Sequence, residues 1–185
     1  MRILSFNANG LRSAAQKGFF DWFAQQDADV LCVQETKAQA EQLADPALRP
    51  SNYKIAFRDA TTKKGYSGVG IYSRRAPDAV LTELGWAEFD DEGRYIEMRF
   101  GKLSVVSLYL PSGSSGDERQ QFKFRCMDWF APILQKWIDS DRDYVICGDW
   151  NIVHTRLDIK NWTSNQKNSG FLPEERAWLD HLFQQ

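Results

Sequence analysis

Two acids stand directly after runs that read as buried strands. Glu35 follows Val30-Leu31-Cys32-Val33-Gln34, and Asp149 follows Tyr144-Val145-Ile146-Cys147-Gly148. Proteins of the α/β class deliver ligands and catalytic groups at the carboxyl ends of their strands. A carboxylate there suits a hard divalent cation such as Mg²⁺, which takes oxygen ligands, keeps several waters and is often held by one or two carboxylates. Asn7 ends a third strand-like run, where a neutral amide could bind a phosphate oxygen or orient a carboxylate. Taken singly, each of these also reads as a turn or cap residue, and Asn9-Gly10 as an ordinary turn.

The elements that must position these groups follow from periodicity. Ile3 to Phe6 reads as a strand, Ser13 to Gln26 as a helix with an aromatic face, and Ala28 to Gln34 as a buried strand. Gln39 to Leu43 reads as a short helix ended by Asp45-Pro46. Strands follow at Tyr53 to Phe57, Val69 to Ser73, Ala79 to Leu84, Arg94 to Phe100 and Leu103 to Leu110. After the flexible Ser112 to Gly116 comes a long amphipathic helix, Glu118 to Ile138, which Pro132 should kink. Tyr144 to Cys147 is a buried strand, Asn151 to Phe171 a polar loop, and Pro173-Glu174-Glu175 opens a last helix. Strands and helices in this alternation predict an α/β sandwich.

Composition bounds the function. The 185 residues are 43% hydrophobic and 26% charged, which excludes a disordered tail or a fibre. Net charge is −2 with a pI near 5.7, so a nucleic-acid partner needs a local basic face. Such a face is available: Lys54 to Arg75 holds six bases and the single acid Asp59. Glu83 to Glu92 holds acids and no base. Both runs also read as solvated faces. No apolar run spans a membrane. The absence of a targeting segment and three unspaced cysteines, read as buried free thiols, predict a cytoplasmic protein.

Five words occur in order: Ser5-Phe6-Asn7-Ala8-Asn9-Gly10-Leu11-Arg12, Val33-Gln34-Glu35-Thr36-Lys37, Gly65-Tyr66-Ser67-Gly68-Val69-Gly70, Leu108-Tyr109-Leu110-Pro111 and Cys147-Gly148-Asp149-Trp150-Asn151. Together with Asn168-Ser169-Gly170-Phe171-Leu172-Pro173-Glu174-Glu175-Arg176, this set resembles the exonuclease III family of abasic-site endonucleases, within the endonuclease/exonuclease/phosphatase superfamily. The resemblance implies a four-layer α/β-sandwich, two mixed β-sheets face to face with helices outside. It implies a Mg²⁺-dependent DNA repair hydrolase, with Mn²⁺ as a substitute. Such an enzyme cuts the phosphodiester 5′ to an abasic site in double-stranded DNA and acts on 3′ ends as an exonuclease or phosphodiesterase. A monomer is expected, with no membrane partner.

Residue by residue, the resemblance implies that Asn7, Glu35, Asp149 and Asn151 surround the metal. Asp149 would activate water or assist the leaving oxygen, Asn151 would orient it, and the Tyr109 hydroxyl would approach the phosphate. Asn9, Lys63, Tyr66, Asn161 and Asn165 would touch DNA. The family pattern continues into further strands and a terminal Ser-Asp-His word absent from this sequence. Residues 1–185 are therefore expected to be one C-terminally incomplete domain, nearly inactive alone. His154 and His181 read as loop and surface residues. The rival readings are another phosphoesterase of the superfamily and a non-catalytic DNA-binding remnant.

Overall fold

The structure, a computed structural model, describes residues 1–184 and divides into two compact units. The first comprises Met1–Tyr109 with Asp141–Asp149, the second Leu110–Ser140 with Trp150 onward.

Among the described residues, eight strands are found, all in the first unit. One sheet runs in the order β1 (Ile3–Asn7), β2 (Val30–Gln34), β4 (Val69–Ser73), β3 (Lys54–Arg58). The other runs β5 (Ala79–Leu81), β6 (Tyr95–Phe100), β7 (Leu103–Tyr109), β8 (Asp143–Asp149). Each sheet is mixed, because β1 pairs parallel to β2 and β7 parallel to β8 while the other pairs are antiparallel. The expected α/β class with two mixed sheets therefore holds.

Side-chain alternation sets the layers. Val30, Cys32, Val69 and Ile71 of one sheet pack with Ile96, Met98 and Val105 of the other, forming the core between them. Leu31, Val33 and Tyr72 point the opposite way, onto Leu11, Ala14, Phe19 and Phe23 of helices α1 (Leu11–Gln16) and α2 (Phe19–Ala24). The aromatic face is as expected, but the single helix over 13–26 is not. Gly18 adopts φ 84 and its N–H donates to Ala15 O, separating α1 from α2.

Two short helices complete this unit, α3 (Ala40–Leu43) and α4 (Ala87–Asp90). The latter lies inside the acidic run and was not expected. The Asp90 carboxylate is buried there and accepts from the N–H groups of Leu84, Gly85 and Trp86, so this run is not simply a solvated face.

The second unit is helical. α5 (Asp117–Ile138) runs without interruption through Pro132 and buries Phe122, Cys126, Phe130 and Leu134 at four-residue spacing. The expected polar loop contains one turn of helix, α6 (Trp162–Asn165). α7 (Pro173–Phe183) packs through Trp178, whose Nε1–H donates to Met127 O at 3.1 Å and whose ring lies 6.1 Å from that of Trp150. All three cysteines are free thiols, Cys32 and Cys126 buried and Cys147 half-buried. Among the described residues no helix is long and apolar enough to cross a membrane.

Candidate active site

Both parallel strand pairs carry a polar residue just beyond the apolar stretch of their inner faces. Along β1 the inner face reads Ile3, Ser5, Asn7; along β7 it reads Leu103, Val105, Ser107, Tyr109; along β8 it ends Cys147, Asp149. Register places Tyr109 opposite Asp149 and Asn7 opposite Gln34. Beneath these ends lies a buried polar layer. Gln34 Nε2 donates to Ser107 Oγ at 3.0 Å, and Ser107 Oγ donates to Val33 O at 2.9 Å.

Glu35 does not continue the alternation of β2. It adopts φ 53, and its backbone oxygen accepts from Gly10 N at 2.8 Å. Asn9, Lys37 and Ser67 are likewise left-handed, at φ 44, 47 and 47. Such conformations cost about 1–3 kcal/mol each and cluster where function requires them. Neighbouring backbone holds them: Thr36 N donates to Gly68 O and Lys37 N to Ser67 O.

The result is a compact centre. Asn7 Nδ2 donates to Glu35 Oε1 at 2.8 Å and to Asp149 Oδ2 at 2.7 Å, joining the two carboxylates through one amide. Asn7 Oδ1 accepts from Asn9 N. Lys37 Nζ lies 2.7 Å from Glu35 Oε2 and 2.5 Å from Asn9 Oδ1. Burial pushes the Glu35 carboxyl up, but hydrogen bonds from Lys37, Asn7 and Tyr109 outweigh it and leave the carboxyl below its ordinary value. Burial, then the Glu35 charge, pushes the Tyr109 phenol up to about 12. Tyr109 is therefore a protonated hydrogen-bond donor at neutral pH and not a base.

Arg94 extends the centre to one side. It is buried, pairs with Glu92 at 2.7 Å, and donates to Tyr109 O at 3.0 Å and to Tyr66 Oη at 2.9 Å. Lys63 Nζ lies 5.1 Å over the Tyr66 ring. Of the residues singled out from sequence, the first unit brings together Asn7, Glu35, Tyr109 and Asp149, with Asn9 at their edge and Lys63 and Tyr66 linked through Arg94. Sequence reasoning missed Lys37 and Arg94. Lys37 had a signal, an acid and a base two residues apart in Gln34-Glu35-Thr36-Lys37; Arg94 had none.

Asn151, Asn161 and Asn165 fall in the second unit. Asn151 adopts φ 51, its Nδ2 donates to Leu110 O at 2.7 Å, and its backbone oxygen accepts from Lys123 Nζ at 2.6 Å. Asn161, at φ 55, precedes α6. The Asn165 amide shapes its own loop, donating to Lys160 O and Asn161 O and accepting from Asn168. His154, expected as an ordinary loop residue, lies 2.6 Å from Asp180 Oδ1.

Among the described residues no group of three or more His, Cys, Asp or Glu side chains converges. The donor set is instead two carboxylates, both hard ligands, joined through the Asn7 amide. That set fits a hard divalent cation, which is often held by one or two carboxylates plus substrate phosphate. Glu35 and Asp149 would hold it, with Asn7, whose Nδ2 faces both carboxylates, orienting them.

The fold has a counterpart in known proteins. The chain belongs to the endonuclease/exonuclease/phosphatase family, whose model matches residues 4–184. Within it the chain falls among the exodeoxyribonuclease III and AP endonuclease relatives. It is 36% identical to an exodeoxyribonuclease of Bacillus subtilis, the match covering 95% of this chain and 68% of that protein. It is 32% identical to a DNA-(apurinic or apyrimidinic site) endonuclease of Dictyostelium discoideum, covering 100% of this chain and 51% of that protein. A solved AP endonuclease from Archaeoglobus fulgidus superposes with a TM-score of 0.87 at 26% identity, covering 100% of this chain and 70% of that one. The chain thus spans between about half and two thirds of the length of these two sequence relatives.

Proposed function

We propose that the protein is a Mg²⁺-dependent DNA repair nuclease that hydrolyses the phosphodiester 5′ to abasic sites and also acts at DNA 3′ ends. The observation that carries this reading is the Asn7 amide joining Glu35 and Asp149 at 2.8 and 2.7 Å in a chain of this family.

When bound, the cation supplies positive charge to the phosphate as negative charge grows on its nonbridging oxygens. Glu35, kept ionised by Lys37 and Asn7, is a ligand available throughout the neutral range. Asn7 restrains Asp149 in one orientation, so that its carboxylate can take a proton from water or assist the leaving 3′-oxygen. Tyr109, whose hydroxyl hydrogen-bonds Glu35 in the free protein, would turn its one proton to the phosphate, a contact of the kind that contributes about 2.7–4 kcal/mol in a preorganised site. Asn151, two residues beyond Asp149 in the chain, is proposed as an orienting and metal-facing residue from the family resemblance. Lys63, Tyr66, Asn9, Asn161 and Asn165 are proposed as backbone contacts. Residues 1–185 act as one domain, monomeric and cytoplasmic, in this reading.

The test is incision of a labelled duplex carrying one synthetic abasic site, with Mg²⁺, Mn²⁺ and EDTA lanes and a Glu35→Ala control. Metal-dependent incision abolished in Glu35→Ala supports the reading. Duplex binding with no metal-dependent incision, even at high protein concentration, favours a non-catalytic DNA-binding domain.

A further inference from the structure

Beside the catalytic cluster, the first unit carries a second feature that the proposed chemistry does not use. A cleft of about 570 Å³ opens between β1, α1 and α2, with Asn9 at one end. Its floor is aromatic. The Phe6 and Phe19 rings stack at 4.2 Å and 8°, and Trp22 lies 5.7 Å from Phe19 with 47% of its surface exposed. Small residues, Ala8, Ala14 and Gly18, form part of its wall.

The rim is polar and unoccupied by protein groups. Among the described residues, the Lys17 ammonium, the Ser13 hydroxyl and the Arg12 guanidinium make no hydrogen bond or ion pair. Ser13 also lines a neighbouring cleft of about 430 Å³ that contains Arg12 and reaches Lys37 and Gly65. Lys37 in turn holds Glu35. Ser13 thus borders both clefts, and between them they are lined by three cations, Arg12, Lys17 and Lys37, and by no acid.

An aromatic platform bordered by unpaired cations is the arrangement that binds single-stranded nucleic acid. Bases stack on the ring and phosphates meet the cations, with little sequence preference. We propose that this cleft is a subsite for an unpaired nucleotide of the DNA substrate, its base on Trp22 and its phosphate between Lys17, Ser13 and Arg12. The proposal rests on the nuclease reading and adds a preference for DNA with a frayed or single-stranded end beside the scissile bond.

The test is fluorescence anisotropy in EDTA, with a blunt duplex and the same duplex carrying a short single-stranded extension at either end. The wild-type chain is expected to bind one extended duplex roughly tenfold more tightly than the blunt one. Trp22→Ala should remove that preference while leaving blunt-duplex affinity unchanged, and Trp22→Phe should keep most of it. Lys17→Ala should weaken the extended duplex selectively. Equal wild-type binding of blunt and extended duplexes, or a preference untouched by Trp22→Ala, would overturn the subsite and leave the nuclease reading standing. Binding to no DNA at all would overturn both.

Discussion

The Lys37 ammonium lies 2.7 Å from Glu35 Oε2, on the carboxylate that the proposed cation would also use. The contact keeps Glu35 ionised and also competes for one of its oxygens. Lys37→Met should raise the Glu35 pKa toward its ordinary value, because burial then acts with one opponent fewer. Carboxyl ¹³C NMR titration of the metal-free protein reads this directly. An unchanged or lowered Glu35 pKa would contradict the geometry.

Asn7 Nδ2 donates to both Glu35 and Asp149. Asn7→Ala should leave the fold intact, since the residue is exposed at a strand end, and slow single-turnover incision by about a hundredfold. Asn7→Asp should be worse, because it sets a third negative charge between two others. Incision by Asn7→Ala at the wild-type rate would remove the bridge from the mechanism.

Glu97 gives the clearest dependence of stability on pH. It is buried and accepts hydrogen bonds from Arg99 Nε at 2.6 Å, Ser104 Oγ at 2.7 Å and the Tyr95 hydroxyl. Burial raises its carboxyl, and these partners, Arg99 foremost, bring it below the ordinary glutamate value. A carboxyl lowered in the folded state stabilises above the unfolded pKa, and that contribution fades as pH falls through the folded one. Glu97→Gln should cost about 1–3 kcal/mol at pH 7. In urea titrations the gap between variant and wild type should narrow below about pH 4, the unfolded glutamate range. A gap that widens with acid would reverse the assignment.

Lys123 and Glu175 form a fully buried ion pair at 2.6 Å in the helical unit. Lys123→Met alone leaves Glu175 charged and dry and should cost about 3–5 kcal/mol. Adding Glu175→Leu should recover part of that loss, because a buried pair replaced by apolar groups is often neutral. Thermal melts of the two variants would compare them. A double variant less stable than the single one would mean that the carboxylate matters more to its other donors, Gln120 and Leu172, than to Lys123.

Gly68 stands at φ 86, and a Cβ there would lie 2.1 Å from Thr36 Oγ1. Gly68→Ala should therefore cost about 1–3 kcal/mol from overpacking beyond the backbone strain. Gly85→Ala, at φ 97 with nothing within 4 Å, carries the strain alone and should lose less. Equal losses in chemical denaturation would show that the Thr36 contact relaxes freely.

Strand ends were legible in the sequence because burial writes itself as apolar alternation, and the residue that breaks it is conspicuous. Asn7, Glu35 and Asp149 were found that way. What was not legible depends on partners distant in sequence. The basic and acidic runs look like two solvated faces, yet Arg58 donates to Asp90 O and meets Glu83 at 3.3 Å, while Asp90 is a buried cap. Arg94 reads as an ordinary first residue of a strand until Tyr66 and Tyr109 are placed around it. The break at Gly18 is hidden because apolar residues recur every four positions across it, at Leu11, Ala15, Phe19 and Phe23.

The bond from Gln34 to Ser107 ties one sheet to the other directly below the two carboxylates. Sliding either sheet by one residue would strand both polar groups in a dry interior, so the bond acts as a key that admits one alignment. The spacing of Glu35 and Asp149 is thereby gauged by the core and not by the loops above it. Heating that loosens the loops should blunt substrate grip well before it spoils the carboxylate spacing.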